Sequence, residues 1–287
     1  MDKPSHAVIN LTNNTTVEPF LAAALQLNSQ PNLDLSLEQA GSAVKQAVGK
    51  GAALIALPEN FAFLGDEKER HRQMDAISEA VMKTVPQWAK TYGVTILAGG
   101  FPVRAKNGKM YNRAILFNRQ GMEIARYDKI HLFDITLSKE ESYRESDLVE
   151  PGAVNAVVSE LQPGLRIGLS ICYDVRFPEL YRKLADLQAD ILCVPAAFTR
   201  PTGESHWEIL LRSRAIENSA YLIAPAQTGT HGEKRKTYGH AMIIDPWGRV
   251  LSDAGTAPGM TIAEIRMDYL REIRKKLPSL KHRRPGL

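Results

Sequence analysis

The 287 residues, 44% hydrophobic and 24% charged, have ordinary globular composition and can bury a full core in one large domain or two small ones. A net charge of +4, from 36 basic against 32 acidic residues, gathers largely in REIRKKLPSLKHRRPGL at the C-terminus, which reads as a solvated tail and argues against a nucleic-acid partner. Two cysteines, Cys172 and Cys193, give no disulfide framework, the N-terminus carries no apolar run of signal-peptide length, and no stretch approaches the roughly 18 apolar residues of a membrane span; a cytoplasmic protein without membrane contact is expected.

Residues 1–18 read as a flexible N-terminal extension and 19–287 as a single domain. FLAAALQL is a buried strand, followed by a helix from about Asp34 to Val48 whose apolar face carries Leu37, Val44 and Val48 and which the glycines at 49 and 51 end. ALIALPE is the next strand, and a second helical region over 67–92 is expected to break at Pro86. VTILAGGFPVR and MYNRAILFN, joined at Asn107-Gly108, form a β-hairpin, which a purely parallel sheet would lack. Then come AVNAVVSE, LRIGLSIC, a helix over 176–187, ADILCVPAA, a helix over 206–219, YLIAPAQ, TYGHAMIID, GMTIAEIR and a last helix. With no fixed-period repeat and no linker between the halves, the pattern is an α/β fold of mixed sheets with helices packed outside them.

Cys172 ends the apolar run LRIGLSIC and precedes the turn YDVRFPE and the helix ELYRKLADL. A cysteine at a strand-to-helix elbow is exposed to substrate and near helix N-terminal amides, whereas Cys193, inside ILCVPAA, reads as core. Read singly, Glu59 after ALIALP is a loop acid and Lys129 in RYDKIHLFD a solvent-facing lysine. Together, LPENFAFLG, YDKIHLFD and LSICYDVRFPELYR resemble, in that order, the motifs of the carbon-nitrogen hydrolase (nitrilase) superfamily, from about Phe20 to the C-terminus. The resemblance implies a four-layer α-β-β-α sandwich, with Cys172 as nucleophile, Glu59 as general base and acid, and Lys129 as electrophilic partner. It also implies that Glu145, in SYRES, holds Lys129; the residue alone reads equally as a loop acid.

Such a set is chemically coherent. A thiol of ordinary pKa is only a few per cent thiolate at neutral pH, so Glu59 would take its proton on attack and return it to the departing amine. Lys129 and the backbone N–H of Tyr173 would meet the oxyanion. With no metal-ligand cluster and no glycine-rich phosphate loop in the sequence, no cofactor and no metal is expected.

The stretch from AAFTRPTGESHW to DPWGRV resembles the Nit branch, which contains ω-amidases and deaminated glutathione amidases; AQTGTH, the basic loop, TYGHAM and HRRP favour the second. That resemblance implies hydrolysis of a small amide, deaminated glutathione, to 2-oxoglutarate and cysteinylglycine. It also puts Arg176 and Thr202 on the 2-oxoacid carboxylate; otherwise Arg176 pairs with an acid such as Glu179, and Thr202 caps the helix beginning near His206. His206 and Trp207 read as packing residues. Leu180 and Leu184 on one helix, with Ile209, Leu210 and Ile216 on another, would flank a homodimer interface in this family, and equally fit core helices. Lys234, Arg235 and Lys236 in THGEKRKTYG form either a solvated loop or the cation for a substrate's tail carboxylate. Competing readings are a papain-like pairing of Cys172 with His206, His231 or His240, and a non-catalytic binding protein that keeps the fold.

Overall fold

The computed structural model describes residues 17–136, 142–233 and 235–284. Residues 1–16 of the expected extension lie outside that set, and Val17 is already buried in the core.

In chain order the first half runs β1 (Phe20–Leu27), α1 (Leu33–Gly49), β2 (Ala52–Ala56), α2 (Glu67–Arg72), α3 (Met74–Tyr92), β3 (Thr95–Arg104), β4 (Met110–Phe117), β5 (Glu123–Asp128), β6 (Asp134–Thr136) and β7 (Ser142–Arg144). The second half runs β8 (Val157–Gln162), β9 (Leu165–Leu169), α4 (Pro178–Asp186), β10 (Ile191–Cys193), α5 (Arg200–Asn218), β11 (Tyr221–Ala224), β12 (Ala226–His231), β13 (Arg235–Tyr238), β14 (Met242–Ile244), β15 (Val250–Asp253), β16 (Gly259–Ile265) and α6 (Met267–Lys276).

The central strands are apolar on both faces because both faces are covered. In β1, Ala23 and Leu25 pack with Val44 of α1 and Val81 of α3, while Ala22 and Ala24 pack toward Ile167 of β9 and Leu192 of β10. The β3–β4 hairpin divides likewise, Ile96 and Ile115 toward the helices and Leu97 and Leu116 toward the other sheet. Beyond β9–β11, Leu180, Tyr181 and Leu184 of α4 and Trp207 and Leu211 of α5 close the core. The layers are therefore helices, an eight-stranded sheet in the order β13-β12-β1-β2-β3-β4-β5 with β16 antiparallel on β1, a six-stranded sheet in the order β15-β14-β11-β10-β9-β8, and helices again.

Three expectations need correcting. Pro86 lies inside α3 without ending it; the break falls at Gln73, which closes α2 and opens α3. Ile77, Val81, Val85 and Ala89 keep one buried stripe through the proline, so packing on the sheet outweighs the lost helical hydrogen bond. The helix expected from His206 begins six residues earlier, with Thr199 at the N-cap and Pro201 in the first turn. Gly203 is required inside its first turn: the backbone there lies so close to β13 that an added Cβ would sit 2.3 Å from the Tyr238 Cβ. Before α4, residues Cys172–Arg176 form a separate 3-10 turn.

β1–β2–β3 are parallel, as are β9–β10–β11, and the chain leaves the C-terminal ends of β2, β9 and β10 carrying Glu59, Cys172 and Ala197. In sheets of this kind that end is where loops are free to build a site.

Candidate active site

Glu59, Lys129, Glu145 and Cys172 converge in one cavity of about 690 Å³. The Lys129 ammonium is 3.2 Å from Glu59 Oε1 and 3.0 and 2.8 Å from the two oxygens of Glu145. Glu59 and Lys129 are each 2% exposed, so two charges have been withdrawn from water and are tolerable only because nearly every oxygen and proton is met. Glu59 Oε1 also accepts from Asn112 Nδ2 at 2.8 Å and Oε2 from the Ala197 N–H at 3.0 Å. Glu145 Oε2 accepts from the Phe133 N–H at 2.7 Å, which fixes the carboxylate that grips Lys129.

Cys172 is buried and begins its turn at φ +48°, a left-handed conformation that costs a non-glycine residue roughly 1–3 kcal/mol. The strained turn is pinned by the Cys172 N–H donating to the Pro195 carbonyl at 2.9 Å. Burial and the Glu59 carboxylate push the thiol well above its usual value, against the pull of Lys129. Burial works to raise the Glu59 carboxyl too, but Lys129, the hydrogen bond with Cys172, Arg235 and Asn112 together hold it below the usual carboxylate range. Lys129 loses to burial and gains more from Glu145, Glu59 and Cys172, so its pKa is raised and it stays charged. The resting arrangement is a thiol beside an ionised carboxylate, which suits a base that takes the proton as the bond to sulfur's new partner forms.

Three further residues escaped sequence reasoning. Asn112, on β4, donates to Glu59 and, at 3.4 Å, to Glu145, while its own Oδ1 is buried without a partner among the described residues. Asp174, fully buried, accepts from the Tyr127 hydroxyl at 2.7 Å, the Ile171 N–H at 2.9 Å, the His131 N–H at 3.1 Å and His131 Nδ1 at 2.7 Å. It thereby ties the strand end that carries Lys129 to the elbow that carries Cys172. Glu67, on α2, meets Arg235 from β13 at 2.8 Å across the cavity wall. Each is a polar residue with at least one partner far away in sequence, which its own string does not reveal.

Tyr173 and Thr202 line the cavity. Thr202 sits within the first turn of α5, bonded through Oγ1 to Thr199 Oγ1 at 2.7 Å, so it is not the cap. Arg176 pairs neither with Glu179 nor with the cavity: its guanidinium lies 5.2 Å from the Phe198 ring and 5.7 Å from the Tyr173 ring, with Nη2 3.3 Å from His206 Nδ1. Arg235 and Lys236 line the cavity, and Lys234 lies outside the described residues. None of the three histidines of the papain-like reading engages Cys172. His206 faces Arg176, His231 bridges the Ser29 carbonyl and Thr237 hydroxyl at 2.7 Å each, and His240 pairs with Asp253 at 2.9 Å. Cys193 is fully buried, and burial pushes its thiol up. Among the described residues no group of three or more His, Cys, Asp or Glu side chains is placed to hold a metal ion, and no helix is long and apolar enough to cross a membrane.

The family described as carbon-nitrogen hydrolase matches residues 21–275. This chain belongs to the carbon-nitrogen hydrolase family. Among relatives, the deaminated glutathione amidase of Synechocystis sp. (strain PCC 6803 / GT-S) is 53% identical over 269 residues, which cover 93% of this chain and 99% of that protein. The crystal structure of the C. elegans NitFhit protein superposes with a TM-score of 0.87 at 34% identity, covering 94% of this chain and 66% of that one, so this chain spans about two thirds of it. Saccharomyces cerevisiae Nit3, a member of branch 10 of the nitrilase superfamily, superposes with a TM-score of 0.80 at 27% identity, covering 92% of this chain and 96% of that one. The sandwich described above is thus the fold of this carbon-nitrogen hydrolase and of its structural relatives.

Proposed function

We propose that this chain is a cysteine amidase that hydrolyses deaminated glutathione to 2-oxoglutarate and cysteinylglycine. The observation that carries the reading is the buried Lys129 ammonium held between the Glu59 and Glu145 carboxylates beside a thiol at a strained elbow. Similarity to the deaminated glutathione amidase of Synechocystis supports the substrate.

In this mechanism Cys172 Sγ attacks the amide carbon while its proton passes to Glu59. The oxyanion is met by Lys129 and the Tyr173 N–H, donors of a kind worth roughly 3 kcal/mol of barrier each. Protonated Glu59 gives its proton to the amine nitrogen as the C–N bond breaks, leaving a thioester. Water, deprotonated by Glu59, attacks that thioester; the C–S bond breaks and the proton returns to sulfur. Glu145 keeps Lys129 charged and aimed. Thr202 and Arg176 are assigned to the 2-oxoacid carboxylate, Thr202 directly from the wall and Arg176 after a side-chain rotation away from Phe198.

We also place the protein in the cytoplasm as a homodimer of single-domain subunits. Ile209 and Ile216, 67% and 45% exposed on α5, support a contact face; Leu180 and Leu184 are buried and take no part in it. Sedimentation of the wild type and an Ile209→Glu variant tests this, since a monomer in both refutes the dimer.

A mass-spectrometric screen of 2-oxoacid amides, deaminated glutathione and 2-oxoglutaramate included, tests the activity, with Cys172→Ala as control. Preference for 2-oxoglutaramate would make the protein an ω-amidase, and no turnover of any amide would leave a binding protein.

A further inference from the structure

Two arginines share one carboxylate in the wall of the cavity. Arg70, 2% exposed, has a partner at each of its three nitrogens: Nε and Nη2 lie 3.0 and 2.7 Å from Glu67 Oε2, and Nη1 donates to Asn60 Oδ1 at 2.6 Å. Arg235 approaches the other oxygen of Glu67 and donates Nη1 to Oε1 at 2.8 Å. Two guanidinium groups against one carboxylate leave one positive charge in the wall, and Arg235 is within electrostatic reach of both Glu59 and Cys172.

The hydrogen bonding of Arg235 is incomplete. Its Nε is buried without a partner among the described residues, and the one hydrogen bond its side chain makes to them is the Nη1 bond to Glu67. The edge without a partner among the described residues is therefore the one formed by the buried Nε and by Nη2. Elsewhere in the molecule that same edge takes a carboxylate: Arg113 gives Nε and Nη2 to the two oxygens of Asp128 at 2.7 and 2.8 Å, and Arg266 gives the same pair to Asp268 at 3.3 and 2.7 Å. The two parallel N–H groups match the spacing of two carboxylate oxygens.

We propose that Arg235 is a specificity-determining residue that binds a carboxylate of the substrate side-on through Nε and Nη2, with Glu67 and Arg70 holding the guanidinium in place. The inference rests on the amidase reading for the identity of the ligand, but the anion site stands on its own geometry. Deaminated glutathione presents two carboxylates, one on the acyl side and one on the departing amine. Lys236, exposed beside it, is a loose charge with no such edge.

The test compares wild type, Arg235→Gln and Arg235→Lys on deaminated glutathione and on 2-oxoglutaramate, which keeps the acyl-side carboxylate only. The expected result is a KM raised about 10- to 100-fold in Arg235→Gln with kcat little changed, and partial recovery in Arg235→Lys, which restores charge without the edge. A rise on both substrates assigns the acyl-side carboxylate and a rise on deaminated glutathione alone assigns the amine side; both support the site. Unchanged KM on both substrates, or a loss confined to kcat, overturns it. Calorimetric binding of intact deaminated glutathione, which carries both carboxylates, to Cys172→Ala and to Cys172→Ala/Arg235→Gln answers the question without turnover. Wild type that cleaves neither amide would sink the proposed activity, while this arm still decides the anion site: binding weakened by Arg235→Gln supports it, and equal binding, or none in either protein, overturns it.

Discussion

Replacing Lys129 by Met probes structure and chemistry at once, and the geometry says how to separate them. The change removes three charge-assisted contacts, at 3.2, 3.0 and 2.8 Å, and leaves Glu59 and Glu145 without their shared cation. Breaking a buried pair from one side costs roughly 3–5 kcal/mol, because the charge left behind is still out of water. Adding Glu145→Gln removes one of the stranded charges, so Lys129→Met/Glu145→Gln should recover most of that stability in urea unfolding. Catalysis should not recover: losing an oxyanion donor of about 3 kcal/mol slows acylation by about 150-fold, whichever partner Glu145 has become. Urea midpoints and single-turnover acylation, measured on both variants, give the two quantities separately. A double variant that is as stable as the wild type and acylates at the wild-type rate would refute the role of Lys129.

The remaining predictions follow from neighbouring features. Because Glu59 is held below the usual carboxylate range and the Cys172 thiol well above its usual value, kcat/KM should rise through an acid limb as Glu59 ionises. It should then stay flat past pH 9; an alkaline fall near neutrality would contradict the thiol-carboxylate resting state. His231 is buried and neutral, its pKa pushed down by desolvation to about 4 from 6.5. The unfolded chain therefore takes up more protons between those values, and this residue alone should lower stability by roughly 3 kcal/mol as pH drops across that window; His231→Gln should remove that share of the slope in denaturation curves. Asp174→Asn points an NH2 donor at groups that are themselves donors and should lower both Tm and kcat while changing KM less, as steady-state kinetics on a folded variant would reveal. Cys172→Ala should be folded and inactive, whereas Cys193→Ala should keep its activity and lose about 1 kcal/mol or more of stability in urea, since it opens a small cavity in the core.

The sequence by itself determined the layer pattern and the three motif residues. Continuous apolar runs such as FLAAALQL and ADILCV require strands covered on both faces, and the Asn107-Gly108 turn fixed the β3–β4 hairpin. The strings around Glu59, Lys129 and Cys172 named the family before any geometry, because family motifs are local in sequence. Element ends were less legible: Pro86 carries a strong local signal that packing on a sheet overrode. Only the tertiary structure decided how the charges are distributed. Asn112 between two carboxylates, Asp174 across the elbow, and Glu67 between Arg70 and Arg235 depend on contacts across up to 168 positions of chain. A polar side chain in a sequence gives no sign of its future partner, since hydrogen bonds are set by where strand ends meet in space. The same holds for Arg176, whose place against Phe198 rather than in the cavity follows from the meeting of the elbow with the start of α5.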